Sequence, residues 1–314
     1  MRLLRPTVIA VLALGILATE AARAGFTQIV AFGDSLIDTG NVFAATGQPP
    51  ALYFDGRFSN GPVWVEYLAD RLGIAAPTPS LTGGTDHAWG GAETGFGLSA
   101  AGTLNINSQV TNFLAGNTLS ATQLVVIDGG ANDFFNGQTD PSVPVANRAA
   151  AITALAGAGG RTFIVQNLPQ LGEIPATQGL PQAQRDALDQ LTLAYDSLLS
   201  NSLDQLRSSL GVTIGQVDLD RFLTDVRTNP SAYGFTNTMT SALGDGVLSG
   251  DGYLFWDGVH PTTVGHKFIG DLAFASVVPE PGGLTLLATG AAVLLAACCR
   301  RRFGQAIARN ANWK

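Results

Sequence analysis

The stretch Thr27-Gln-Ile-Val-Ala-Phe32, followed directly by Gly33-Asp-Ser-Leu36, decides the fold, because an apolar β-rich run ends there in a glycine and a polar turn. Three further runs have the same character: Leu124-Val-Val-Ile127, Thr162-Phe-Ile-Val165 and Val212-Thr-Ile-Gly-Gln-Val217. Short continuous apolar runs are typical of strands that are buried on both faces of a sheet. A weaker candidate near Thr85 to Trp89 would bring the number of predicted strands to five.

Helical patterns lie between these runs. Val145 to Leu155 is rich in alanine, Pro181 to Leu210 is long and amphipathic, and Thr262 to Ala275 opens just after a proline. Strands that alternate with helices predict right-handed crossovers and a parallel sheet covered on both faces, which is an α/β fold. We predict one domain over residues 25–277, with long loops at Asn41 to Pro62 and Thr228 to Gly252.

The composition excludes several classes of protein. With 314 residues and 46% apolar side chains, the chain is neither disordered nor fibrous. Between Gly25 and Val278, 9 Lys and Arg stand against 22 Asp and Glu, and so acidic a body predicts no nucleic-acid partner. The two cysteines, Cys298 and Cys299, are adjacent and lie outside this body. They therefore offer it neither a disulfide framework nor a cysteine-rich metal site.

The first 24 residues are typical of an export signal. Arg2 and Arg5 precede an apolar run, and Ala22-Arg23-Ala24 is a small-x-small cleavage pattern. We predict a signal peptide over residues 1–24 that is cut after Ala24. The alternative is an anchored transmembrane helix, although the apolar run is short against the roughly 20 residues that a span needs.

The other end of the chain has a second targeting pattern. Val278-Pro-Glu-Pro281 precedes an apolar stretch from Leu284 to Cys299, and Arg300 to Arg302 follow it. This order over residues 278–302 resembles a PEP-CTERM sorting signal, and residues 303–314 form a tail. The resemblance implies an exosortase as partner and a transient or lasting membrane anchor before release or transfer at the cell surface. A plain C-terminal anchor is the alternative.

Four polar groups flanked by glycine recur along the sequence: two follow predicted strands, one lies at the weak strand and one lies late in the chain. They are Gly33-Asp-Ser-Leu36, Trp89-Gly-Gly-Ala92, Gly130-Ala-Asn-Asp133 and Asp257-Gly-Val-His-Pro261. Sheets of this kind bind ligands at the carboxyl ends of their strands. The four groups are therefore expected to converge on one edge of the sheet.

Four of these side chains suggest a catalytic role, and each also has a simpler interpretation. Asp257 precedes His260 by three residues and could bond Nδ1–H, leaving Nε2 free as a base, or the pair could be a chance feature of a surface loop. Ser35 could be a nucleophile or a helix N-cap. Asn132 could donate to an oxyanion together with the N–H groups of Gly90 and Ser35, or close a turn.

Taken in order, the four groups resemble the motifs of the GDSL lipases and esterases, also called SGNH hydrolases, and the resemblance extends from Thr27 to Ala275. Further matching stretches are Phe32-Gly-Asp-Ser-Leu-Ile-Asp-Thr-Gly-Asn41, Asn167-Leu-Pro169 and Phe255-Trp-Asp-Gly-Val-His-Pro-Thr262. The resemblance implies a flavodoxin-like, three-layer α/β/α sandwich with about five parallel strands. It also implies hydrolysis of ester or lipid substrates without a metal or cofactor.

The resemblance assigns a role to each residue. Ser35 would be the nucleophile, His260 the general base and then the acid, and Asp257 its orienting partner. The oxyanion hole would consist of the Ser35 N–H, the Gly90 N–H and the Asn132 side chain. Lipid esters, short acyl esters and acetylated sugars all stay open as substrates.

Other functions fit the sequence less well. A nucleotide site would need a Gly-x-Gly-x-x-Gly or Gly-Lys-Ser/Thr loop, and an α/β-hydrolase would need a Gly-x-Ser-x-Gly elbow; the sequence has none of these. Three scattered histidines make a metallohydrolase a poor fit. A catalytically silent carbohydrate-binding protein of the cell surface or matrix stays open as the alternative from a different class.

Overall fold

The apolar runs form four parallel strands: β1 (Gln28–Phe32), β2 (Gln123–Ile127), β3 (Thr162–Gln166) and β4 (Thr213–Val217). In the computed structural model, which describes residues 25–278, the strands lie in the order β1-β2-β3-β4. Phe32 pairs with Ile127, and Ile127 pairs with Val165. The carboxyl ends of the first three strands therefore lie level at one edge of the sheet.

The fifth predicted strand is not a regular strand. The segment Thr85 to Trp89 runs parallel to the outer edge of β1, where the His87 N–H donates to Ala31 O at 2.8 Å and the Trp89 N–H to Gly33 O at 3.0 Å. The Asp86 side chain and carbonyl instead bond to the loop that follows β1, including the Thr39 N–H at 2.6 Å. The segment occupies the edge position, but these loop contacts interrupt the ladder.

Helices cover both faces of the sheet. The eight helices of the described residues are α1 (Asn41–Thr46), α2 (Trp64–Leu72), α3 (Ile106–Leu114), α4 (Ala131–Phe135), α5 (Ser142–Gly157), α6 (Gln182–Leu210), α7 (Leu219–Thr228) and α8 (Thr263–Val277). Helices α2 and α8 pack together on one face, whereas α3, α5 and α6 pack on the other. The predicted three-layer α/β/α fold is confirmed, with four regular strands in the central sheet.

A small second sheet lies inside and just beyond the predicted loop Thr228 to Gly252. It consists of β5 (Asn237–Ser241) and β6 (Tyr253–Phe255), which run parallel. Directly after β6 the chain makes a turn that the Trp256 N–H closes by donating to His260 O at 2.8 Å. This turn leads into α8 and carries two of the predicted site residues.

The predicted signal peptide (1–24) lies outside the described residues, as do the tail and all of the predicted sorting signal except Val278. Across residues 25–278, every helix is too short or too polar to cross a bilayer.

Candidate active site

The structure brings Ser35, His260 and Asp257 together. Ser35 lies in the turn that follows β1, and the other two residues lie in the turn between β6 and α8. The Ser35 Oγ is 2.8 Å from His260 Nε2, and His260 Nδ1 is 2.7 Å from Asp257 Oδ2. This is a hydrogen-bonded chain of hydroxyl, imidazole and carboxylate in which the base and its orienting group are both within reach.

The Asp257 carboxylate accepts four hydrogen bonds. Its Oδ1 accepts the N–H groups of Val259 at 2.9 Å and His260 at 2.8 Å, and its Oδ2 accepts the Tyr53 hydroxyl at 2.7 Å besides the imidazole. Burial by itself would raise the pKa of Asp257, but the His260 charge and the hydrogen bonds from His260 and Val259 outweigh it. The net result is a pKa well below the ordinary value, so the carboxylate is ionised at neutral pH.

The Gly90 N–H, which the sequence predicts as an oxyanion donor, already has an acceptor in the structure. Gly90 is buried, and its N–H donates to Asp38 Oδ2 at 2.9 Å. The N–H groups of Gly91 and Ser35 donate to no protein acceptor within the described residues and are therefore available to a ligand. Asp38 also accepts the Gly40 and Asn41 N–H groups, so one buried carboxylate fixes the loop after β1 against the glycine pair.

The Asn132 amide lies beside Ser35 but already has partners. Its Nδ2 donates to Ala92 O at 2.9 Å and to Asp34 Oδ2 at a longer 3.3 Å. Burial, reinforced by the neighbouring Asp128 charge, raises the pKa of Asp34 to about 8. An oxyanion at Ser35 could therefore replace the long contact to Asp34 while the bond to Ala92 keeps the amide in place.

A buried arginine, which the sequence did not point to, holds the strand ends beneath these residues. The fully buried Arg148 guanidinium donates to the carbonyls of Ile127 at 2.5 Å, Gly129 at 2.9 Å and Gln166 at 2.7 Å. It also donates to the Tyr195 hydroxyl at 2.8 Å. Arg148 thus fixes the ends of β2 and β3 and the start of the loop that leads to Asn132.

The other two histidines have packing roles. His266 is fully buried, accepts the Trp64 N–H at 3.2 Å and has its pKa lowered to about 3 by burial and by His260. His87 stacks on Phe32 with ring centroids 5.2 Å apart, and burial lowers its pKa to about 4. In the described part of the chain, no three His, Cys, Asp or Glu side chains could together hold a metal ion.

A cavity of about 480 Å³ opens beside Ser35 and His260. This volume is typical of sites for small organic ligands. Apart from the site residues, its walls are largely apolar: Val42, Phe58, Ala101, Phe135, Leu168, Leu171, Ile174, Leu219, Leu223, Phe255 and Val259. The far wall comes from the segment after β3 and from α7, so an elongated apolar group could extend from Ser35 across the strand ends.

Known proteins are similar to nearly all of the described residues. The profile of the GDSL-like lipase/acylhydrolase family matches residues 29–273. A thermolabile hemolysin from Vibrio parahaemolyticus is 26% identical over 78% of this chain, and the matched region spans 62% of that relative. A phosphatidylcholine-sterol acyltransferase from Aeromonas hydrophila is also 26% identical, over 84% of this chain and 95% of its own length.

Solved structures match with lower sequence identity. The native aryl esterase of M. smegmatis has a TM-score of 0.46 at 19% identity, and the match covers 78% of this chain and 95% of that one. A lipolytic protein of the G-D-S-L family from Veillonella parvula has a TM-score of 0.47 at 14% identity, covering 81% of this chain and all of that one.

Proposed function

The chain belongs to the GDSL-like lipase/acylhydrolase family, a family of ester-bond hydrolases, and on that premise we propose that it cleaves carboxylic esters through an acyl-enzyme on Ser35. The observation that carries the proposal is the pair of short contacts from Ser35 Oγ to His260 Nε2 and from His260 Nδ1 to Asp257 Oδ2, at 2.8 and 2.7 Å. A serine hydroxyl becomes nucleophilic when such a base takes its proton.

The proposed reaction has two halves. Ser35 Oγ bonds to the ester carbonyl carbon while its proton moves to His260 Nε2, and Asp257 stabilises the resulting imidazolium. The tetrahedral oxyanion accepts hydrogen bonds from the Ser35 and Gly91 N–H groups and the Asn132 amide. His260 then gives the proton to the leaving alcohol oxygen. In the second half, water loses a proton to His260 and attacks the acyl carbon. The bond from that carbon to Ser35 Oγ then breaks, and His260 returns the proton to Oγ as the acid leaves.

The cavity favours an apolar acyl chain as the substrate of this site. Its far wall is built mainly from leucine and isoleucine side chains, and burying apolar surface stabilises by about 25 cal/mol per Å². An acetyl group would leave most of these side chains without a contact. Esters of longer chains therefore fit the site better than acetylated sugars do.

Hydrolysis of p-nitrophenyl esters from acetate to palmitate by the purified full-length protein tests the proposal. We expect release of p-nitrophenol with kcat/KM rising beyond acetate, and we expect Ser35→Ala to lose at least about a thousandfold in turnover. Unchanged hydrolysis by Ser35→Ala would remove Ser35 from the reaction. Wild-type protein that neither hydrolyses these esters nor reacts covalently with a fluorophosphonate would favour the catalytically silent alternative.

We infer that this hydrolase acts outside the cytoplasm. The basic start, apolar run and Ala22-Arg23-Ala24 pattern support export with cleavage after Ala24. Mass spectrometry of the exported protein should find Gly25 at its N-terminus, and Ala24→Asp should block that cleavage. Retention of residues 1–24 on exported wild-type protein would instead support an N-terminal anchor.

We also infer that residues 278–302 are a sorting signal read by an exosortase-type enzyme, after which the hydrolase is released or transferred at the cell surface. The Pro-Glu-Pro motif, the apolar stretch and the arginine cluster support this. In the native host, an epitope tag after Lys314 should be lost from the surface-exposed protein, and Glu280→Ala should preserve it. A tag that persists on the wild type would support a plain anchor.

A further inference from the structure

One segment of the long loop before α2 lies against the turn between β6 and α8, which carries Asp257 and His260. This segment, Tyr53 to Asn60, is here named the strap. The Ser59 hydroxyl donates to Pro261 O at 2.9 Å, and Asn60 Oδ1 accepts the Thr263 N–H at 2.8 Å. The Phe58 ring lies 5.2 Å from the His260 ring, centroid to centroid. The strap is therefore hydrogen-bonded to the residues that directly follow His260 and packs against the imidazole itself.

Tyr53 is the strap residue that hydrogen-bonds to the triad of Ser35, His260 and Asp257. Its hydroxyl donates to Asp257 Oδ2 at 2.7 Å, the same oxygen that the imidazole uses. The ring is held edge-on by Phe58 at 6.4 Å and Trp256 at 6.3 Å. Burial and the Asp257 charge raise the pKa of Tyr53 well above its ordinary value, so the hydroxyl keeps its proton throughout the pH range of ester hydrolysis.

The Tyr53 bond differs in origin from the other three that Asp257 accepts. Those three come from Val259 and His260, within the turn itself, whereas Tyr53 lies 204 positions away in the sequence. The local bonds fix Oδ1. On Oδ2, the tyrosine is the donor that restrains the carboxylate independently of the imidazole that it must orient.

We propose that Tyr53 is a positioning residue for the triad: its hydroxyl holds Asp257 Oδ2 in line with His260 Nδ1 and disperses part of the carboxylate charge. The proposal rests on the proposed function, since it assumes that His260 is the base. Without the phenol, Oδ2 would have one donor, and the carboxylate would hold a charged imidazolium more tightly. His266 is a further titratable group near this pair, but burial and the His260 charge lower its pKa to about 3, so it stays neutral from pH 5 to 9.

The experiment compares Tyr53→Phe with Tyr67→Phe as a matched control. The Tyr67 hydroxyl also makes a partly buried long-range hydrogen bond, to Thr263 Oγ1 at 2.6 Å, but it has no contact with the triad. Each variant loses one oxygen atom and one hydrogen bond. Both are measured as full-length proteins by kcat and KM for a p-nitrophenyl ester over pH 5 to 9, and by thermal unfolding.

For Tyr53→Phe we expect kcat to fall about tenfold with KM within about twofold of the wild type, because hydrogen bonds to charged groups are among the stronger ones. The acid limb of the kcat/KM profile should move to higher pH. The reason is that the imidazolium form of His260 would be better stabilised and would give up its proton only at higher pH. Tyr67→Phe should leave both kcat and the profile unchanged. In an Asp257→Asn background, Tyr53→Phe should have little further effect, because the two residues act as a unit.

Three results would overturn the proposal: a Tyr53→Phe profile identical to that of Tyr67→Phe, additive losses in the double variant, or a Tyr53→Phe protein that does not fold. The last would make Tyr53 a residue of the fold alone. Failure of the proposed function is distinguishable, because the wild type itself would then show no hydrolysis that depends on Ser35.

Discussion

At the scale of single residues, the polar atoms of the site differ in how many hydrogen bonds they already make. Asp257 is saturated by four donors and stays ionised, whereas the N–H groups of Ser35 and Gly91 have no acceptor within the described residues. Unpaired N–H groups at a partly buried position are costly unless a ligand or water completes them. Their placement beside Ser35 suits a negative charge that appears only during the reaction.

Asn132→Ala should lower kcat by about 10²–10³, because the oxyanion would lose one of its three donors. KM should change little, since the amide bonds to Ala92 and Asp34 when no substrate is bound. Steady-state kinetics on a p-nitrophenyl ester measures both constants. The neighbouring Asn136→Ala is the control, because Asn136 bonds to Glu93 on the surface and should leave kcat unchanged. Equal losses in the two variants would contradict the oxyanion role.

Residues with a local signal could be predicted from the sequence, and residues without one could not. The spacing of Asp257 and His260 within one turn, and the position of Ser35 after a buried strand, are visible in the sequence. The choice between Gly90 and Gly91 depends on Asp38, a carboxylate about fifty positions away that accepts the Gly90 N–H. Tyr53 has no pattern that would pair it with Asp257, so its contact emerges only from the folded chain.

At the scale of secondary-structure elements, the strands that end at the site were the most predictable part of the fold. Their apolar runs are continuous because both faces are covered. Each observed strand differs from the predicted run by one residue at one end and agrees with it at the other. Helix α6 was also predicted closely, since its amphipathic pattern runs up to Gly211, which ends the helix at φ 63°. The parallel pair β5 and β6 was missed because Asn237 to Ser241 is polar and lacks an apolar run.

Helix α7 contributes Leu219 and Leu223 to the far wall of the cavity, which leads to a prediction about chain length. Leu223→Trp should fill that end, so the ratio of kcat/KM for a long-chain ester to that for the acetate ester should fall at least about tenfold. Activity on the acetate ester should persist, because an acetyl group does not need the space that the tryptophan would fill. A chain-length series of p-nitrophenyl esters measures the ratio.

The matched control for that experiment is Leu198→Trp, which makes the same exchange at an exposed position of α6. It should leave the chain-length ratio as in the wild type. If both tryptophan variants shifted the ratio alike, or if neither did, the acyl chain would not occupy the wall formed by α7.

Arg148 joins three elements, and its loss should be among the most damaging to stability. Arg148→Met would leave the carbonyls of Ile127, Gly129 and Gln166 without this donor, and buried groups left unpaired cost about 1–3 kcal/mol each. We expect the free energy of unfolding to fall by at least about 3 kcal/mol, as measured by urea denaturation. Arg161→Met, at a partly buried arginine near the opposite end of β3, should cost less. An equal loss in the two variants would contradict the role assigned to Arg148.

At the scale of the whole molecule, the folded body contains several buried carboxyl groups. Burial raises the pKa of Asp34, Asp38, Asp86 and Asp128, and for Asp34 the value is about 8 against an ordinary 3.8. In each case hydrogen bonds or Arg148 offset only part of the cost of ionisation. Acidic side chains are therefore present inside the fold as well as on its surface.

The raised pKa values of these carboxyl groups predict how the free energy of unfolding depends on pH. Above pH 3.8 the unfolded chain releases the Asp34 proton, but the folded state retains it up to about pH 8, so the unfolded state binds fewer protons and the free energy of unfolding falls as pH rises. The lowered pKa values of His87 and His266 act in the opposite direction only below about pH 6.5. Urea denaturation should therefore show stability decreasing from pH 6.5 to 8.

Asp34→Asn should flatten that decrease, because an amide has no proton to lose in this range. Asp140→Asn provides the comparison: Asp140 is fully exposed, and Ser142 lowers its pKa, so it is ionised in both states and its variant should keep the wild-type slope. A slope that Asp34→Asn leaves intact would show that other groups carry the dependence.

The two atoms that begin the proposed reaction belong to residues 225 positions apart, Ser35 just after β1 and His260 just before α8. On the proposed mechanism, a chain emerging from the ribosome would contain its nucleophile long before its base. A nascent fragment or C-terminally truncated product that stops short of position 260 would then be unable to attack an ester. The hydrolase would be made in an inert form and would gain reactivity only when residue 260 is synthesised and folded against residue 35.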